Sequence, residues 1–166
     1  MYQVGDKVVY PVHGAGVVEA IEQREVDGRS RDYYILSLPF SGLKVAVPLD
    51  EAGRLGLRRL MSAGEADRVM QILEGVAESS FAPPEKWNHR FRLLVDKIKN
   101  GDVCELAEIV HNLGERESKR PLGAGEKHLY EQAREILFSE LWLLKDGTEA
   151  ARCNLSARIE SLLDEK

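Results

Sequence analysis

The sequence predicts an α+β protein in two parts: an SH3-like or Tudor-like small β-barrel over residues 1–58, then a compact five-helix domain over residues 59–166. Short runs rich in Val, Ile and Tyr, each closed by turn residues, fill the first part. From Gly56 onward apolar residues recur at helical spacing instead. A meander of four short strands buries its apolar side only by curling, which is why a barrel is expected.

The strands are expected at Lys7–Tyr10, Gly16–Ile21, Asp32–Leu38 and Leu43–Pro48. Pro11 to Gly14, Asp27-Gly28 and Ser41-Gly42 supply the turns between them. Tyr33 and Tyr34 alternate across their strand, so one faces the core and the other is open to a partner.

Ser62 and Glu65 form a capping box ahead of Val69, Ile72 and Leu73, the stripe of the first helix. A loop over Glu78 to Pro84 follows. The second helix carries Trp87, Phe91, Leu94, Val95 and Ile98, and Asn100-Gly101 stops it. Asp102 and Glu105 repeat the capping box before Leu106, Ile109, Val110 and Leu113. Arg116 to Gly125 reads as a polar connection. The fourth helix starts near Glu126 and ends at Lys145 to Gly147, and Thr148 caps a fifth with Ala151, Leu155, Ile159 and Leu162.

Over 166 residues, 43% are hydrophobic and 31% charged, a globular balance without the long apolar run of a membrane span. The start, Met1 to Asp6, lacks the basic and apolar regions of a signal peptide, so the chain is expected to remain in the cytoplasm. Cys104 and Cys153 stand alone in helical patterns and are expected to be reduced thiols. A net charge of −5 argues against a generic nucleic-acid binder. Residues 86–99 nevertheless carry +4, from five basic residues against Asp96, whereas residues 135–166 carry −3. One basic stripe on an acidic protein suggests a small DNA footprint assisted by a protein partner.

Catalytic constellations are missing from the pattern. His13, His89, His111 and His128 fall on four separate elements, and none pair at the spacing of a zinc motif. Gly14-Ala15-Gly16 lacks a lysine, and Gly123-Ala124-Gly125-Glu126-Lys127 lacks the frame of a phosphate loop, so both read as turns. No nucleophile elbow occurs. The expectation is a non-enzyme without metal or cofactor.

Val4-Gly5-Asp6-Lys7-Val8-Val9-Tyr10-Pro11-Val12-His13-Gly14-Ala15-Gly16 closely resembles the start of the CarD/CdnL transcription regulators, a start shared by the polymerase-interacting domain of the transcription-repair coupling factor. Val47-Pro48, Gly56-Leu57-Arg58, Trp87-Asn88-His89-Arg90-Phe91, Gly101-Asp102-Val103, Glu108-Ile109-Val110, Gly125-Glu126-Lys127 and Ala133-Arg134 follow in the family's order. The likeness weakens after about Leu144, and the helical half sets the chain apart from the coupling factor, which has a motor there.

The resemblance implies that the barrel binds the RNA polymerase β subunit and that the helical domain meets the upstream edge of the promoter bubble, stabilising the open complex, for example at ribosomal RNA promoters. It implies a minor-groove wedge at Trp87, with Arg90, Arg92 and Lys127 matching the family's DNA-contacting cations; Lys86 gains less from it. Spacing alone leaves Trp87 open to a second reading, as the first core residue of its helix beside Phe91 and Leu94. The charges likewise read alone as a solvated helix face. In the barrel, Arg24 matches a polymerase-binding arginine. Ala46 stands where some members carry a second one, and Lys44, on the same face of its strand, is the expected substitute. A monomer is expected. The other class of function open to this sequence is a protein-only Tudor-like or SH3-like module whose helices serve as a scaffold without touching DNA.

Overall fold

A computed structural model describes residues 1–11, 13–39, 41–75, 86–145 and 157. Strands β1 (Lys7–Tyr10), β2 (Gly14–Val26), β3 (Arg29–Leu38), β4 (Leu43–Pro48) and β5 (Arg58–Arg59) precede helices α1 (Ala63–Leu73), α2 (Trp87–Asn100), α3 (Val103–Lys119) and α4 (Ala124–Leu144). The strands form one antiparallel sheet in the order β4-β3-β2-β1-β5. The described residues therefore hold four helices rather than five. The fifth expected helix lies outside them, apart from Ala157, which is helical. So do Cys153 and the loop over Glu78 to Pro84.

Two strands extend past their apolar runs. Beyond Ile21, β2 continues as Glu22 to Val26 against Arg29 to Tyr33, a ribbon exposed on most of its positions. Asp27 (φ 53°) and Gly28 (φ 75°) turn it, both in the left-handed region that a two-residue hairpin loop requires. Between Val18 and Ala20 the register slips by one, so Glu19 bulges out. The two-residue β5, which no alternation announces, pairs its arginines with Val8 and Val9.

The helix signals hold at their starts. Ser62 and Glu65 make both capping-box bonds; of the second expected box only half forms, Asp102 accepting from the Glu105 backbone N–H at 3.0 Å while the Glu105 carboxylate pairs with Lys97. Gly101 ends α2 at φ 72°, a left-handed cap that an L side chain resists. One expectation fails: α3 continues to Lys119, so the supposed Arg116–Gly125 connection shrinks to residues 120–123. No helix among the described residues is long and apolar enough to cross a membrane.

Side chains alternate across β1, with Val8 inside the sheet against Val18, Tyr34, Leu36, Leu38 and Val47. Val9 points the other way, with Ala15 and Met61, into the core formed by α1 to α4. The sheet thus lies directly on the bundle, mainly β2 on α4. Gly14 (φ 103°) shows how closely: a Cβ there would sit 2.7 Å from Ser139 Oγ.

Polar locks fix this interface. Ser139 Oγ accepts from the Ala15 N–H at 2.9 Å and donates to the Ile136 carbonyl at 2.7 Å. Lys7 Nζ donates to the Leu143 carbonyl at 3.0 Å. Glu140, with none of its surface exposed, receives a two-pronged bond from Arg58 at 2.8 and 2.9 Å and a third from the Met61 N–H at 2.6 Å. The Arg58 Nε also donates to the Gly101 carbonyl at 3.1 Å, so one side chain ties β5, α4 and the α2–α3 turn together.

Candidate nucleic-acid and protein interfaces

The outer face of the sheet gathers Tyr33 and Ile35 from β3, Ala20, Glu22 and Arg24 from β2, and Lys44 and Ala46 from β4. Arg24 and Lys44, expected from sequence to share a partner, line one open depression of about 420 Å³. Each is held within its own sheet, Arg24 to Glu22 and Lys44 to Glu19, both at 3.1 Å. All four side chains are about half exposed or more open, so these pairs are weak and exchangeable. Arg24 also lies 6.0 Å from the centroid of the Tyr33 ring. Tyr34 takes the inward position and accepts from the Tyr2 N–H at 3.0 Å, so the two tyrosines divide as the alternation requires.

The second surface is the end of the bundle where α2 and α4 begin. Trp87 is the first residue of α2, and Lys86 is its N-cap in extended conformation without a side-chain hydrogen bond. Gly123 likewise starts α4 with no side-chain cap. Lys86, Arg92 and Lys127 are exposed and make no ion pair with any described residue. Lys86 and Arg92 flank a shallow depression of about 690 Å³, with Asn88, His89, Leu93 and Asp96.

Arg90 behaves differently from its neighbours. Its side chain is only 14% exposed, and its Nε is bonded to Glu126, a nearly buried carboxylate in the first turn of α4. Arg116, near the end of α3, reaches the same carboxylate at 3.4 Å. Glu126 therefore draws three helix ends together, and Arg90 is a strut inside that junction. Sequence cannot show this, because Arg90 and Glu126 are 36 residues apart and the charge of one carries no mark of the other. Every buried side-chain polar atom among the described residues has a hydrogen-bond partner.

Comparison with known proteins matches both halves. Residues 2–61 fit the family model described as CarD-like/TRCF RID domain, and residues 68–155 that described as CarD, C-terminal domain. The Bacillus subtilis (strain 168) protein named "Putative transcription factor YdeB" is 34% identical over 149 residues, spanning 90% of this chain and 95% of its own.

Proposed function

Since the chain belongs to the CarD family of transcription factors, we propose that it docks on the RNA polymerase β subunit through the outer face of its sheet, a small Tudor-like barrel. The α2 end of the bundle then contacts the upstream edge of the promoter bubble and stabilises the open complex. It acts in the cytoplasm as a monomer that binds and positions, without chemistry of its own.

The observation that carries this reading is the exposed set Lys86, Arg92 and Lys127 near the starts of α2 and α4, which make no ion pair with any described residue. This set adjoins Glu126, 13 residues along α4 from the Ser139 contact with the sheet, a separation of about 20 Å at 1.5 Å per residue. A docking face and a DNA face can then be occupied at the same time. In this reading Trp87 inserts at the bubble edge, where base pairs are already fraying and unstacking costs least, so insertion favours open over closed DNA. Lys86, Arg92 and Lys127 hold phosphates in register without reading sequence. Arg90 serves the same surface from behind, through Glu126. On docking, Arg24 and Lys44 exchange their exposed partners Glu22 and Glu19 for acidic groups of the polymerase.

Transcription from a ribosomal RNA promoter by the cognate polymerase tests both halves. Trp87→Ala should shorten the open-complex lifetime while polymerase binding persists, and Arg24→Glu should abolish polymerase binding. An unchanged lifetime with folded, polymerase-bound Trp87→Ala would refute the wedge.

A further inference from the structure

The end of α3 belongs to this same junction, although neither charge nor periodicity in the sequence singles it out. Arg116 points at Glu126, Lys119 follows three residues on, the spacing that puts side chains on one side of a helix, and Arg120 is the C-cap, where the backbone is already extended. Lys119 and Arg120 are exposed and make no ion pair with any described residue. Some exposed cations elsewhere, Arg24, Lys44 and Arg54, are paired, whereas Arg29, Arg59 and Lys99, like Lys119 and Arg120, make no ion pair with any described residue.

The acids nearby do not cancel them. Glu126 is already shared by two arginines, and Glu115 lies 3.9 Å from the His111 imidazole. Glu117 is only half-exposed, and Glu131 is more than a turn further along α4. The starts of α2 and α4 add to the positive field, which the carbonyl end of α3 offsets in part. Where α1 and α3 start, Ser62 and Asp102 cap the backbone N–H groups, each with a glutamate in the first turn. Where α2 and α4 start, at the cationic end, no side chain caps them.

We propose that Lys119 and Arg120 are further contacts to the DNA backbone, so that the phosphate track crosses three helix ends instead of two. The proposal rests on the reading of this end of the bundle as DNA-facing. Packed helices lie about 8–10 Å apart. At 3.4 Å of rise per base pair along a strand, one further helix adds contacts about three base pairs from those of α2, on the duplex side of the bubble edge. A lysine and an arginine at a helix end, without an aromatic partner, suit phosphates and carry no base preference.

The test measures affinity of the full chain for a preformed polymerase complex on forked promoter DNA at 50 to 200 mM salt, and for polymerase alone. Wild type is compared with Lys119→Ala/Arg120→Ala, the charge-preserving Lys119→Arg/Arg120→Lys, Lys127→Ala and Trp87→Ala. Losing two duplex phosphate contacts should flatten the log–log salt slope by about 1.8, so the wild-type advantage at 50 mM should be about twelve times that at 200 mM. Binding to polymerase alone should not change, and the charge-preserving pair should keep the wild-type slope. A slope unchanged in the alanine pair but flattened by Lys127→Ala overturns the α3 contacts and leaves the DNA-facing bundle standing. A flattened slope in the charge-preserving pair as well would mean that helix geometry is responsible, which also overturns the proposal. If no variant, Trp87→Ala included, alters DNA-dependent binding, the DNA-facing reading fails, and the α3 contacts with it.

Discussion

Arg58→Ala is the perturbation with the largest expected effect on the joint between sheet and bundle. The substitution removes two of the three hydrogen bonds to a carboxylate that has no exposed surface and leaves Glu140 only the Met61 N–H. Breaking one side of a buried ion pair costs about 3–5 kcal/mol. The Arg58 side chain is 28% exposed and one bond survives, so the lower end, about 3 kcal/mol, applies. For a chain of 166 residues each kcal/mol moves the midpoint by about 2–4 °C, which gives a fall of about 6–12 °C. Urea denaturation followed by circular dichroism measures the free energy, and calorimetry the midpoint. Arg58→Met/Glu140→Leu should recover part of the loss, because no charge remains buried. Recovery stops short of wild type, since the Met61 N–H then lacks its acceptor. A cost for Arg58→Ala below about 0.5 kcal/mol, the range of ordinary surface substitutions, would refute the lock.

Two further outcomes follow from specific contacts. Arg90→Ala should destabilise the chain by about 1–3 kcal/mol, less than a buried pair usually loses because Arg116 still reaches Glu126, while Arg92→Ala should stay within about 0.5 kcal/mol; equal costs in thermal melts would show that Arg90 is no strut. On the sheet side, the hydrogen bond from Arg31 holds the Asp50 carboxyl below its ordinary pKa. That contribution to stability is present above the usual carboxylate range and is lost as pH falls through the lowered folded value. The deficit of Arg31→Gln, visible at neutral pH, should therefore close on acidification, and a deficit constant with pH would contradict the linkage.

Local signals were the readable part of this fold because they act within a few residues. The Ser62 and Asp102 caps, the Gly101 stop and the Asp27-Gly28 turn are satisfied by backbone groups close by, and all four stand where the sequence places them. The β2–β3 ribbon and the last turn of α3 were hidden for one reason: both are mostly polar and bury no continuous face, and periodicity registers an element only when one face is buried. The ribbon strands pair with each other, with Arg31 also reaching Asp50 and Glu51, whereas Arg116, at the end of α3, reaches Glu126 on α4. The surface cations Lys86, Arg92 and Lys127 could be proposed from the sequence, since exposure is the default for such residues. Arg90 could not be told from them, because its difference lies wholly in a partner that tertiary folding delivers.

The same distinction bears on how an acidic protein would use DNA. With a net charge of −5, the long-range field opposes association with a polyanion, so a few cations at one end of a bundle hold DNA only where another contact has already fixed the distance. Docking through the sheet would supply that contact and turn the DNA step into an intramolecular one, whose effective concentration depends on how stiffly the two surfaces are joined. A flexible joint would spread the bundle over many positions, most of them away from the bubble edge. The Arg58–Glu140 pair, the Ser139 bridge to Ala15 and the Lys7 bond to Leu143 remove that freedom at the joint itself. Loosening the joint should therefore lower open-complex stabilisation more than it lowers polymerase binding. In Arg58→Ala the two can be compared in one sample, at a temperature well below its melting point. Equal losses in both would mean that the joint only supports the fold and does not set where the DNA surface arrives.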